Sequence, residues 1–143
     1  MKYNPDVWGP HYWFFLHTIA RTYPEYPNDI TKRKYYDIII NLPLFIPDEE
    51  IGNRFSALLD KHPITPYLVN RESFKRWLHL IHNRINHHLG KDEIPYWKAE
   101  EIYESHYIPR VIHLSEKLRI QKHHITFFFV LVLIIIIYIL YKE

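Results

Sequence analysis

Cysteine is absent from all 143 residues of the chain. That absence excludes structural disulfides, cysteine-ligated zinc, iron–sulfur clusters and any thiol nucleophile of the protein's own. Glycine is scarce, at 3 residues. The formal charge is only +2, so a broad nucleic-acid-binding surface is not implied. At the N-terminus, "MKYNPDVWGPHYW" lacks the apolar core of a secretory signal.

What the chain does hold is apolar and aromatic: 48% hydrophobic residues, 12 Tyr and 4 Trp. This composition argues against disorder and for helices packed around large rings. The length suits one compact domain. Eleven His can add positive charge in mildly acidic conditions.

One uncharged apolar run, "ITFFFVLVLIIIIYILY", occupies residues 125–141. As a helix it spans roughly 25 Å, the short end for crossing a bilayer. A strand of that length would be very long, and no second such segment could pair with it. The run is therefore read as a transmembrane anchor. Arg119, Lys122, His123 and His124 precede it, and only Lys142 and Glu143 follow. This bias keeps the N-terminal domain on the cytosolic side.

Helical periodicity dominates the remainder, and no alternating strand pattern persists. Helices are expected from about Pro10 to Tyr23, Thr31 to Leu42, Asp48 to the residues before "HPITP", Glu72 to Leu89, and from Trp97 to a break at Pro109. The fourth carries an apolar stripe of Phe74, Trp77, Leu78, Ile81, Ile85 and Leu89, with Gly90 in the C′ position. His79, His82, Asn83 and Asn86 form a second stripe, roughly opposite the first. That stripe is either a wet face or a binding face for a planar polar ligand. A metal site is disfavoured, because one helix supplies at most two well-placed ligands. Trp13 and His17, one turn apart on the first helix, could clamp an aromatic heterocycle or simply pack in the core.

Several segments together resemble the Erv/ALR family of FAD-linked sulfhydryl oxidases, and within it the membrane-anchored members of large DNA viruses. They are "WGPHYWFFLHT" at 8–18, "IP" at 46–47, "FKRWLHLIHNRINHHLGK" at 74–91 and "YWKAEEIY" at 96–103. The resemblance implies an all-α fold: a four-helix bundle with a short fifth helix over residues 1–108. A basic connector at 109–124 and the transmembrane helix at 125–141 complete the expected layout. It also implies FAD as cofactor and a homodimer. Carried over by position, Trp13 and His17 contact the flavin nucleotide, with Gly9 and Tyr12 nearby. His82, Asn83 and Asn86 line it, Lys91 lies near the phosphates, and Tyr96 and Trp97 close over the adenine end.

At one point this chain departs from the family pattern. The family places C-x-x-C directly after the "IP" segment, where this chain reads Asp48-Glu49-Glu50-Ile51. Attack on sulfur and electron donation both need thiolates, and neither aspartate nor isoleucine supplies one. No catalytic residue is assigned, and thiol oxidation would require a thiol-bearing protein partner. The four residues instead read as a good helix start, with Asp48 as N-cap and two glutamates in the first turn. Three functions remain open. One is a membrane-anchored FAD-binding oxidase homologue impaired in redox chemistry; another is a membrane-tethered assembly module without flavin; the third and least favoured is a His-rich metal-binding membrane protein.

Overall fold

A computed structural model describes residues 3–108 and 114–142, with the side chains of 114–121 and of 142 outside the description. Every regular element among the described residues is helical: α1 (Pro5–Arg21), α2 (Asp29–Asn41), α3 (Glu49–Lys61), α4 (Arg71–His88), α5 (Tyr96–Ser105) and α6 (Leu114–Lys142). Short 3-10 turns follow α2 at Leu42–Phe45 and α3 at Thr65–Tyr67. The chain divides into two compact units, Met1–Tyr107 and Ile108–Glu143.

Local chemistry explains where the helices of the first unit begin. Asn28, Asp48 and Asn70 each turn a side-chain oxygen onto the N–H three residues on, at 2.8, 3.1 and 2.8 Å. Each satisfies one of the donors that a helix leaves unpaired at its start. Helix α1 starts five residues earlier than Pro10. Asn4 caps it through the Asp6 N–H at 2.9 Å, and Pro5 fills the first turn. Pro10 then lies inside the helix, where its missing N–H removes one rung near the start of the ladder. Helix α4 ends in a Schellman motif: Gly90 takes φ +68°, its N–H reaches His87 O at 3.1 Å, and Lys91 N–H reaches Asn86 O at 2.8 Å. Helix α5 stops at Ser105, before the expected break; Pro109 itself lies outside the described residues.

Packing centres on α4. Its Phe74, Trp77, Leu78, Ile81 and Ile85 are buried against Leu16 and Ala20 of α1 and Phe55 and Leu59 of α3. One end of the bundle is fixed by rings: Tyr23, Tyr35 and Phe74 meet edge to face, and Tyr23 Oη donates to Leu68 O at 2.9 Å. Trp77 Nε1 donates to His62 O at 2.8 Å, so the buried indole is satisfied. Glycine matters where α3 presses on the preceding turn, because a Cβ on Gly52 would lie 3.0 Å from Pro43 O. Helix α5 is held over α1 and α4 by Glu100, whose carboxylate pairs with Arg21 at 2.7 Å and Lys75 at 2.5 Å.

In the second unit, α6 contains a 20-residue stretch, Lys122–Tyr141, of mean hydropathy 2.7. By length and composition it could cross a membrane. The basic residues before the apolar run are helical from Leu114 onward, continuous with it; the start of the expected connector, 109–113, is outside the described residues.

Candidate functional site

The other end of the bundle encloses a cavity of about 380 Å³ between α1, α4, α5 and the start of α3, within the range of small-molecule pockets. Of the ten residues singled out from the sequence, Gly9, Tyr12, Trp13, His17, His82, Asn83, Asn86 and Lys91 all line it. Tyr96 and Trp97 do not. Tyr96 turns toward α4, where its hydroxyl meets Glu72 at 3.2 Å and Arg76 lies over its ring. Trp97 is exposed.

The polar stripe of α4 is half-buried and adjoins the core instead of lying opposite it, since Ile85 and Leu89 line the same cavity as His82 and Asn86. At its centre the Trp13 ring stacks on His82, with centroids 3.9 Å apart and planes 9° from parallel. His17 Nε2 lies 3.0 Å from His82 Nδ1. One of these nitrogens must donate and the other accept, so the hydrogen-bonded pair carries at most one positive charge. Burial, reinforced by His79, Arg21 and Lys75, holds His17 down at about 4 against an ordinary 6.5. Burial also holds His82 at about 3, with His17, His79 and Lys91 adding to the effect. Near neutrality both imidazoles are therefore uncharged.

Asn83 does more for the wall than for its interior. Its amide nitrogen donates to Ile94 O at 2.9 Å, and its oxygen accepts from Ile94 N–H at 3.2 Å. This paired contact pins the connection between α4 and α5, and with the Schellman turn it sets Lys91 at the cavity wall. Tyr12 Oη donates to Phe45 O at 2.8 Å, holding the turn that leads into α3.

At the cysteine positions of the family pattern, Ile51 lines the cavity and is 7% exposed. Asp48 caps α3 through the Ile51 N–H and is 8% exposed. Neither can exchange a disulfide. Among the described residues no group of three or more His, Asp or Glu could hold a metal ion.

Sequence reasoning missed the share of α5. Ala99, Ile102, Tyr103 and His106 all face the cavity, and their i, i+3, i+4, i+7 spacing was a readable signal. Trp8 was missed as well. Its Nε1 is buried without a hydrogen-bond partner among the described residues, while its ring forms part of the cavity wall. An orphaned indole N–H is a donor suited to a ligand oxygen. A Cβ added to Gly9 would meet nothing within 4 Å, so the helix leaves open space there. Aromatic faces, a spare donor, neutral imidazoles and one ammonium fit an aromatic ligand with an anionic arm, such as a flavin nucleotide.

The profile of the Erv1/Alr family matches residues 10–104. A probable FAD-linked sulfhydryl oxidase of Acanthamoeba polyphaga mimivirus is 31% identical over 108 residues, covering 75% of this chain and 76% of that protein. An FAD-linked sulfhydryl oxidase of African swine fever virus is 32% identical over 97 residues, covering 68% of this chain and 80% of its own. An Arabidopsis thaliana FAD-linked sulfhydryl oxidase is 34% identical over 83 residues, 58% of this chain but only 42% of that longer protein. The crystal structure of the FAD binding domain of Saccharomyces cerevisiae Erv1 shares the fold, with a TM-score of 0.65 and 22% identity over 72% of this chain and 96% of that one. The chain belongs to the Erv1/Alr family.

Proposed function

We propose that this chain is a membrane-anchored, FAD-binding member of its family in which the thiol step is impaired. One observation carries the reading: Asp48 and Ile51 stand where the family chemistry needs two sulfurs, beside a cavity that keeps its aromatic and polar lining. When bound, FAD supplies the electron acceptor of the family reaction. A capping carboxylate and a branched alkyl chain can neither attack a disulfide nor pass electrons onward. Trp13, His17 and His82 are assigned to the flavin nucleotide, with Gly9, Tyr12 and Asn86 around it and Lys91 toward the phosphates. Asn83 holds the wall. Tyr96 and Trp97 stand outside the cavity, and the resemblance alone assigns them the adenine end. Helix α6 is assigned as a single-pass membrane anchor with the bundle on the cytosolic side, in a host or virion membrane if the protein is viral.

Two measurements on the full chain in detergent test this. A visible absorption spectrum should show bound flavin that denaturation releases as FAD. Oxygen consumption with dithiothreitol should run no faster than with free FAD. A folded, colourless and FAD-indifferent protein would sink the cofactor reading and leave the assembly module. A rate above that of free FAD would sink the impairment, because dithiothreitol would then reduce the bound flavin without a protein thiol.

An apolar groove favours an assembly role alongside flavin binding. His11 and Phe15 of α1, Ile38 of α2 and Phe45 border it, with Lys34 and Asp37 on α2 offering opposite charges. Its apolar lining and paired charges make it a candidate contact for a second copy. Sedimentation of the detergent-solubilised chain as a dimer is the expected result, and a monomer at all concentrations would remove this role.

A further inference from the structure

The cavity wall carries one ammonium, Lys91, and that ammonium is already engaged. Its Nζ lies 2.6 Å from Asp6 Oδ1, joining the end of α4 to the first turn of α1 across 85 residues of sequence. The residues flanking this contact, Pro5 and Trp8 on α1 and Ile94 after Lys91, all line the cavity. The pair therefore stands at its rim, with side chains 48% and 71% exposed. Glu93, the acidic residue two positions on from Lys91, is bound to Arg84 at 3.0 Å.

Resting on the flavin reading, we propose that Asp6 competes with the anionic arm of the ligand for Lys91, lowering the site's preference for phosphate-bearing over neutral flavins. A phosphate that takes Lys91 must displace the Asp6 carboxylate or share the ammonium with it. A neutral isoalloxazine carrying only a ribityl chain makes no such demand. The competition is between one carboxylate and one phosphate for a single rim cation, so its strength is that of an exposed ion pair. Salt screens it.

The test is titration of the full chain in detergent with FAD and, separately, riboflavin, followed by flavin fluorescence. It compares the unaltered protein, Asp6→Asn, Lys91→Met and the Asp6→Asn/Lys91→Met double variant. Asp6→Asn should tighten FAD about two- to fivefold at low ionic strength and leave riboflavin unchanged. That gain should shrink in high salt and vanish in the Lys91→Met background. Equal changes for FAD and riboflavin, or weaker FAD binding by Asp6→Asn with unaltered helix content, would overturn the competitor role and leave the flavin reading standing. Failure of the unaltered chain to bind either flavin would overturn both.

Discussion

Lowering the pH from 7 to 4 forces protons onto imidazoles that the fold keeps neutral. In the unfolded chain His17 and His82 titrate near 6.5; in the folded protein burial holds them at about 4 and about 3. The folded state thus binds fewer protons than the unfolded state throughout this interval, and stability must fall as the pH falls. Loss begins near pH 6.5, where unfolded imidazoles start to charge, and levels off only below the folded values. For His17 alone, ~1.4 kcal/mol per pKa unit gives on the order of 3 kcal/mol lost by pH 4. His82 adds a term of similar size. The two are not independent, because each charge opposes the other and full protonation of both breaks the 3.0 Å hydrogen bond. Both rings also keep some contact with solvent, which screens the penalty. Roughly 3 kcal/mol for the pair is therefore the conservative expectation.

Thermal unfolding of the full chain in detergent, followed by circular dichroism at half-unit steps from pH 7 to 4, measures this loss. The control is His17→Gln/His82→Gln, which keeps polar groups in place and removes the titration. Carboxylates titrate alike in both proteins, so the difference between the curves isolates the imidazoles. The parent should lose roughly 12 °C more than the control over this range. Parallel curves would refute the claim that these rings are held neutral by burial.

Restoring sulfur is the direct test of the thiol argument: Asp48→Cys/Ile51→Cys should raise dithiothreitol-driven oxygen consumption above that of the parent. Losing the Asp48 cap should cost about 0.5–2 kcal/mol, and a flavin-loaded double variant with no gain in rate would count against the assigned positions. Gly9→Ala should stabilise α1 by about 0.5–1 kcal/mol, since a mid-helix glycine costs that much and nothing obstructs the Cβ. Gly9→Leu should exclude FAD without unfolding the bundle; undiminished flavin content in that variant would show the space is not used. Gly90→Ala, at φ +68°, should cost about 1–2 kcal/mol and weaken FAD binding by moving Lys91. Unchanged melting would mean the turn relaxes at no cost.

Much of the bundle was readable because its punctuation is local. Asn28, Asp48, Asn70 and Gly90 act within three or four residues of themselves, so helices α2 to α4 could be bounded closely from the sequence. The start of α1 is equally local, in Asn4-Pro5-Asp6, but Pro10 satisfies the same first-turn proline pattern and competes with it. The site was legible only by halves. Periodicity gathered His79, His82, Asn83 and Asn86 on one stripe of α4, and the pattern of α1 gathered Trp13 and His17. What joined them was tertiary: the contact of His17 with His82 across 65 residues, and of Asp6 with Lys91 across 85. Nothing in either segment names its partner. The resemblance drew attention to Tyr96 and Trp97, whereas the face of α5 turned to the cavity begins at Ala99. In that first turn Tyr96 instead reaches Glu72 of α4.

Energetically, the two halves of the site are opposites. The segment from Asp48 to Ile51 stabilises the fold. A carboxylate caps the helix, two glutamates face its positive end, and an isoleucine closes the wall. Around the rest of the cavity the residues work against stability. Two imidazoles are denied their charge on acidification, a buried indole N–H goes unmatched at a cost of about 1–3 kcal/mol, and a glycine interrupts a helix interior. A bundle held only for its shape would gain from apolar replacements at each of these positions, as α3 gains from Ile51. A bound aromatic ligand that took the indole donor and used the space at Gly9 would reverse the sign, favouring the folded state by mass action. This distribution of costs fits a cavity held for binding, beside a helix start that carries no thiol.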